Sequence, residues 1–248
     1  MMALFEARHI HKRFGAQVVL EDISLAFEEG AVSGIMGPNG AGKTTCFHVL
    51  TGYHRPDRGT ISFDGRDVTG QPPQALARVG ISRSFQIMNL FDQSAVIENV
   101  MVALPEFRAR RRRLARPVFG DRDLVGAARD ILHQVGLAGR ESERAEALPY
   151  GARRALEIGV ALAGRPRILF LDEPTSGLGA EATQNLATLI RKLRDRYTIV
   201  MIEHDMRFLF DLADRISVVH WGQVIAEGTP ATLGRNKWVQ RSALGELA

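Results

Sequence analysis

Gly37-Pro38-Asn39-Gly40-Ala41-Gly42-Lys43-Thr44-Thr45 is the stretch whose reading decides the fold. It matches G-x-x-x-x-G-K-[ST], the spacing of a phosphate-binding loop. Its glycines let the backbone curl until successive N–H groups converge on one anion. Lys43 brings a compact positive charge to the outer phosphates of a nucleotide, and the Thr44 hydroxyl is a ligand for Mg²⁺. A helix starting here adds the positive end of its dipole. The flanks agree. Ala31-Val32-Ser33-Gly34-Ile35-Met36 is a mostly apolar run that reads as a buried strand, and Thr45-Cys46-Phe47-His48-Val49-Leu50 reads as a helix. Strand, glycine loop and helix in that order point to a nucleoside triphosphate site.

Such a site needs acidic and polar partners, and the chain places candidates at the ends of other strands. Ile168-Leu169-Phe170-Leu171-Asp172-Glu173 is an apolar strand that ends in two carboxylates. Asp172 at the tip can hold the Mg²⁺ shell, and Glu173 can orient and deprotonate a water. Tyr197-Thr198-Ile199-Val200-Met201-Ile202-Glu203-His204 is another central strand with a titratable end. His204 is either structural or a site residue, and the repeated strand-end geometry favours neither outright. Ile81-Ser82-Arg83-Ser84-Phe85-Gln86 is a further strand ending on a polar side chain. Gln86 is either a loop residue or a contact to metal and water, because ligands sit at the carboxyl edge of α/β sheets.

The remaining segments surround this frame. Leu4 to Ile10 and Leu20 to Phe27 alternate as half-buried antiparallel strands do, with Phe14-Gly15 in the turn between them. Residue type makes Phe14 a plug against the core or an aromatic plate for an adenine ring. Gly52, Pro56, Asp57 and Gly59 form a turn cluster, and Thr60 to Gly65 reads as a strand entering another turn. From about 87 to 148 the period becomes helical, as in Val96 to Ala103 and Leu124 to Val135, which predicts an all-helical insert. Within it, residues 108–116 carry six arginines. That run is a solvated helix face or loop, or a contact for anionic lipid headgroups or an acidic partner. Ile216 to His220 and Gln223 to Glu227 flank Trp221-Gly222 as a hairpin, and 229–248 form a short tail without evident chemistry.

Bulk composition sets limits. A length of 248 residues with 45% hydrophobic content supports one large domain, or a core with a subdomain. The single cysteine, Cys46, excludes an internal disulfide, suits a reducing cytosol and reads as a small buried hydrophobe. No run of 18 apolar residues occurs, and the start of the chain lacks the shape of a signal peptide. A cytosolic protein is expected, unless a partner holds it at a membrane. A net charge of +4 permits nucleic acid or anionic lipid as partners without arguing for either.

Together the residues resemble the nucleotide-binding subunits of ABC transporters, over nearly the whole chain. Six motifs stand in that family's order: aromatic Phe14, the loop 37–45, Gln86, a signature-like Leu148-Pro149-Tyr150-Gly151, Asp172-Glu173 and His204. Asn39 to Thr45, Ser84-Phe85-Gln86, Val96-Ile97-Glu98-Asn99-Val100, and Tyr150-Gly151 followed by Leu156-Glu157-Ile158 are similar to the branched-chain amino acid importer group. Within it they resemble the larger of two paired ATPase subunits.

The fold this resemblance implies is α/β: a P-loop NTPase with a RecA-like core, an antiparallel β subdomain and a helical ABC subdomain. Residues 1–86 and 149–228 would form the core with its antiparallel subdomain, 87–148 the helical subdomain, and 229–248 a C-terminal tail. Two such subunits would sandwich two ATP molecules with Mg²⁺. Phe14 would stack on adenine, and Gly37, Asn39, Gly40, Ala41, Gly42, Lys43, Thr44 and Thr45 would bind phosphates. Thr44, Gln86 and Asp172 would serve the metal. Glu173 would act as base, with Gln86 at the water and His204 on the γ-phosphate. Tyr150 and Gly151, with the helix after them, would face the partner's nucleotide. The implied partners are a second ABC ATPase in a heterodimer, two membrane permeases and, indirectly, a periplasmic binding protein. The implied place is the cytoplasmic face of the inner membrane, held there peripherally. Nucleic acid is not expected, although a soluble ABC ATPase using the arginine run is the rival from another class. ABC ATPases for urea or for lipid export are the rivals within the class.

The sequence departs from the family pattern in the signature. Pro149 stands where serine is usual, Tyr150 where glycine is, and Ala152 where glutamine is; Gly179 stands where an aspartate is common. Proline offers a phosphate neither hydroxyl nor N–H. The implied consequence is asymmetry, with the two composite sites hydrolysing at different rates.

Overall fold

Five-residue strands that are apolar on both faces require cover on both faces, and the centre of this protein is built from three of them. The computed structural model describes residues 3–84, 90–110 and 121–236, with the backbone alone for 108–110. The N-terminal half runs β1 (Phe5–Phe14), β2 (Gln17–Phe27), β3 (Val32–Met36), α1 (Lys43–Leu50), β4 (Arg58–Phe63), β5 (Arg66–Asp67), α2 (Pro73–Val79) and β6 (Ile81–Arg83). Three helices follow, α3 (Val96–Met101), α4 (Pro105–Arg110) and α5 (Arg122–Gln134), and then a 3₁₀ turn at Ala145–Ala147. The rest is α6 (Tyr150–Ala163), β7 (Ile168–Asp172), α7 (Ala180–Leu193), β8 (Thr198–Ile202), α8 (Met206–Leu212), β9 (Arg215–His220), β10 (Gln223–Gly228) and α9 (Pro230–Leu233).

Strands β3, β7 and β8 are buried at every position. They occupy the middle of a six-stranded sheet in the order β10-β9-β3-β8-β7-β6. All neighbours are parallel except the β9–β10 hairpin. Parallel sheets of this kind need helices or a second sheet on each side. Because successive side chains point to opposite faces, each strand feeds two cores. Leu169, Leu171, Ile199 and Met201 join a core with buried residues of α3, α5, α6, α7 and α8. Ile168, Phe170, Val200 and Ile202 join another, shared with α1 and a second sheet. That second sheet is antiparallel, in the order β2-β1-β4-β5.

Aromatic rings bond the two sheets. Phe170 lies edge-on to Phe5, Phe27 and Phe47, with ring centroids 5.3, 6.0 and 6.1 Å away. These T-shaped contacts place the positive edge of one ring on the negative face of another. Phe170→Ala is therefore expected to cost about 3–5 kcal/mol, as large core truncations do. The check is the urea midpoint with the m-value unchanged. A loss below ~1.5 kcal/mol would show that the cluster is not what joins the sheets.

The helical segment is fastened locally. Asn99 is buried, its Oδ1 accepts from Phe91 N at 2.7 Å, and its Nδ2 donates to Ala95 O at 3.0 Å and to Phe91 O at 3.2 Å. Glu98 Oε2 accepts from Ala95 N at 2.6 Å, so the entry to α3 is closed by its own third residue. Asp121 caps α5 by accepting from Asp123 N and Leu124 N, and Leu124, Ala128, Ile131 and Leu132 form the buried stripe of that helix. No helix among the described residues is long and apolar enough to cross a membrane.

The strand boundaries are tighter than the sequence predicts. Strand β6 ends at Arg83, and β8 runs only from Thr198 to Ile202. Gln86, the arginines at 111–113 and 116, and the tail from 237 lie outside the described residues.

Candidate nucleotide-binding site

Two glycines of the loop, Gly37 and Gly42, are set by close approach. A Cβ on Gly37 would lie 2.0 Å from Val219 O, and one on Gly42, where φ is 98°, would lie 2.9 Å from Val19 O. The loop is thus wedged against β9 and β2, and Gly222 N donates to Ala41 O at 3.0 Å from the β9–β10 turn. Helix α1 begins immediately after Gly42 with no side-chain cap. Its first amides lack partners within the helix, and Cys46 N is the first to bond back, to Gly42 O at 2.8 Å. An uncapped helix start behind a glycine loop is an anion site by both dipole and N–H geometry.

Lys43 is buried, and its Nζ donates to Gly37 O at 2.7 Å and Pro38 O at 2.9 Å. The loop's own carbonyls hold the ammonium where a phosphate would meet it. Burial lowers its pKa, while the charges of Glu173 and Asp172 act the other way. Asp172, the last residue of β7, is buried too. Burial first, and then the neighbouring Glu173, push its carboxyl up to about 6, against the pull of Arg83 and Arg154. A buried acid beside a like charge is stabilised by a cation. Among the described residues no cluster of three His, Cys, Asp or Glu could hold a metal by itself. That donor set fits Mg²⁺ held by one or two protein oxygens with phosphates and water, rather than an all-protein cage.

Glu173 follows with φ at 41°, a left-handed conformation that costs a non-glycine residue about 1–3 kcal/mol. Its N–H donates to Ile202 O at 2.9 Å, so the turn after β7 is tied to the end of β8. The bend aims the residue out of the sheet, and its side chain stays partly exposed while that of Asp172 is buried. His204 Nδ1 lies 4.0 Å from Glu173 Oε1 and 3.8 Å from Glu203 Oε2. With its side chain more than half exposed, His204 is not a core histidine.

The fold therefore brings Lys43, Asp172, Glu173 and His204 to one edge of the parallel sheet. Phe14 ends β1 and is 44% exposed, edge-on to His54 with ring centroids 5.2 Å apart. Of its two readings, the plug against the core is ruled out by this exposure. Cys46 is a buried hydrophobe, and burial pushes its thiol up to about 12. Tyr150 and Gly151 sit elsewhere. Tyr150 opens α6, its hydroxyl donates to Ser176 O at 3.4 Å, and a Cβ on Gly177 would lie 3.2 Å from its Oη. A Cβ on Gly151 would lie 2.9 Å from Ala182 Cβ, so α6 and α7 start in contact. A groove of about 660 Å³, lined in part by Pro149, Gly151, Glu181 and Asn185, opens beside these two helix starts.

Three residues near the site, Arg154, Glu157 and Arg83, escape a reading of the sequence. Arg154 and Glu157 form a fully buried pair at 2.6 Å, and Arg154 Nη2 reaches Glu173 O at 3.5 Å. An i,i+3 pair ordinarily reads as a solvent face. The signal was its setting, with Leu156 and Ile158 on either side of Glu157. Arg83 Nη1 donates to Thr51 Oγ1 at 3.1 Å, and the arginine acts on Asp172 electrostatically.

With the loop, the paired carboxylates and the histidine on one edge, the matching family model decides the assignment: it is that of the ABC transporter, over residues 20–176. The chain belongs to the ABC transporter family. It is an ATPase of that type. The chain is 39% identical over 241 residues to the high-affinity branched-chain amino acid transport ATP-binding protein LivG of Salmonella typhimurium, covering 94% of each. It is 36% identical over 252 residues to the corresponding protein BraF of Pseudomonas aeruginosa, covering 98% of each. A lipopolysaccharide export system ATP-binding protein, LptB of Acidithiobacillus ferridurans, is 32% identical over 253 residues. Among solved structures, the ADP conformation of an ABC transporter cassette superposes with a TM-score of 0.88 at 27% identity, covering 99% of this ABC ATPase and all of that chain. A dimeric post-hydrolysis cassette bound to ADP and Pi superposes at 0.74 with 25% identity, covering 91% and 98%.

Proposed function

We propose that this ABC ATPase is the ATP-binding subunit of an importer for branched-chain or related amino acids. The observation that carries the reading is the similarity to LivG and BraF over 94–98% of the chain, supported by Lys43, Asp172, Glu173 and His204 at one sheet edge. ATP binds with its phosphates on Gly37, Asn39, Gly40, Ala41, Gly42, Lys43, Thr44 and Thr45, and its adenine on Phe14. Thr44, Gln86 and Asp172 serve Mg²⁺. Glu173 takes the proton of the attacking water, with Gln86 at that water, and His204 contacts the γ-phosphate. Residues 1–86 and 149–228 act as the core, and 87–148 as the helical subdomain that meets the permeases.

The partners in this reading are a second, different ATPase, two permeases and, through them, a periplasmic binding protein. The subunit sits at the cytoplasmic face of the membrane without crossing it. A cassette dimer is supported by the dimeric neighbour, and hydrolysis would open and close it to move the permeases. The α6 start supports unequal sites. Pro149 caps the helix without a side-chain bond, and Tyr150 docks on its own chain's Ser176–Gly177 loop. Tyr150 and Gly151 face the partner's nucleotide with a reduced set of donors. The similarity to LptB favours lipid export as the second reading.

A pull-down from detergent-solubilised membranes with Glu173→Gln and ATP tests the assignment. Two permeases and a second, different ATPase are the expected catch. A homodimer with one kind of permease would move the assignment toward export, and nucleic acid in its place would overturn transport altogether.

A further inference from the structure

Glu203 is completely buried, and both of its oxygens are in use. Oε1 accepts from Thr175 N at 2.8 Å and from Thr175 Oγ1 at 2.6 Å. Oε2 accepts from His204 N at 3.1 Å and, more distantly, from Asp205 N at 3.4 Å. Each oxygen therefore serves one loop. Oε1 holds the turn after β7, two residues beyond Glu173, and Oε2 holds the turn after β8 that carries His204. A buried carboxylate is costly unless its lone pairs are filled, and here N–H and O–H donors from two loops fill them. The expense is not explained by packing, since a leucine or methionine would fill the same volume.

We infer that Glu203 is a positioning residue for hydrolysis: one carboxylate strut that sets Glu173 and His204 at their working separation. It touches neither water nor phosphate itself. Its symmetry is what suits it to the task. A carboxylate offers an acceptor on both sides, whereas an amide offers one acceptor and one donor. In Glu203→Gln, one loop would keep its partner, and the other would turn its N–H or O–H donors toward an NH₂ group. Glu203→Asp keeps both acceptors on a side chain one carbon shorter, so it reaches the two loops less well. The phosphate loop is outside this arrangement, and Glu203 is the weakest of the charges acting on Asp172. Nucleotide affinity should survive while chemistry suffers, because orientation within a fraction of an ångström governs the chemical step.

This inference rests on the proposed roles of Glu173 and His204, and its test separates the two. ATPase of the full chain with its co-purifying partners would be measured for Glu203→Gln, Glu203→Asp, Thr175→Val and Glu173→Gln, each normalised to molecules that bind MgATP. Glu203→Gln should lower kcat by about ten- to a hundred-fold with the MgATP affinity within about two-fold. Glu203→Asp should fall between it and the native protein, and Thr175→Val should lose about three- to ten-fold through its single missing hydroxyl donor. If Glu203→Gln does not fold, Thr175→Val decides, since it keeps the charge, the backbone N–H and nearly the same volume. Native kcat per binding-competent molecule in the folded variants overturns the strut, even if their Tm falls. If Glu173→Gln also hydrolyses normally, the assigned base is wrong and the strut has nothing to position.

Discussion

Replacing Lys43 with alanine is expected to weaken MgATP binding by about 10²-fold and to slow hydrolysis by about 10³-fold or more. The size follows from where the ammonium sits. Lys43 is buried at the start of α1 and held by Gly37 O and Pro38 O, so its charge acts through protein rather than bulk water. A buried charged donor to a phosphate is worth about 1.5–3 kcal/mol in the ground state, and more as charge builds on the transferring group. Folding should survive. Lys43→Ala removes a buried charge and two side-chain hydrogen bonds at the first turn of α1, where alanine is a good helix former, and the apo Tm should move by only a few degrees. The thermal shift on adding MgATP should disappear instead. At a hundred-fold excess over Kd that shift represents about 2.7 kcal/mol in the native protein, and a hundred-fold weaker site leaves less than 0.5 at the same concentration. Lys43→Arg tests shape against charge, because a planar guanidinium cannot occupy the compact place between two carbonyls. Calorimetric MgATP affinity within about three-fold of native for Lys43→Ala would remove the loop from the binding site.

Most of this site was legible because its chemistry is local in sequence. Within 37–45, Gly37 and Gly42 are forced by close contacts with Val219 and Val19, whereas Gly40 has open space around it and is a glycine for its positive φ of 79°. Asp172-Glu173 could be read because the two carboxylates end an apolar strand in a chain that already carries a phosphate loop, where Mg²⁺ and a water need oxygens. The buried strand was legible as the continuous apolar run Ile168 to Leu171, but the two cores that its alternate side chains enter appear only in the fold. What could not be read depends on chain segments far apart. Glu203 looks like an ordinary strand-end acid until Thr175 is folded onto it. Arg154 and Glu157 look like a surface pair until α6 is buried against the sheet. Phe14 was ambiguous because its exposure at the end of β1 is set by the surrounding fold, which residue type does not encode. The contact of Tyr150 with Ser176 and Gly177 of its own chain is likewise invisible until α6 and the turn after β7 are folded together.

Glu173→Gln should do the reverse of Lys43→Ala, abolishing chemistry while sparing or strengthening binding. A positioned general base contributes about 10²–10⁴-fold, so kcat should fall by about 10³-fold. The substitution leaves the backbone problem as it is: glutamine meets the same left-handed φ of 41°, and the N–H still donates to Ile202 O. Only the charge and one acceptor disappear. That charge matters to Asp172, whose carboxyl is pushed up to about 6 first by burial and then by Glu173 itself. Removing the like charge makes Asp172 easier to ionise, and therefore a better oxygen for Mg²⁺ at neutral pH. MgATP affinity should be unchanged or several-fold tighter, and, if the proposed cassette dimer forms on nucleotide, it should outlast that of the native protein in size-exclusion chromatography. Single-turnover measurements distinguish this from slow product release, since a missing base suppresses the first turnover and not only the later ones. A variant that completes its first turnover at the native rate would transfer the role of base to another group, with His204 at 4.0 Å the nearest alternative.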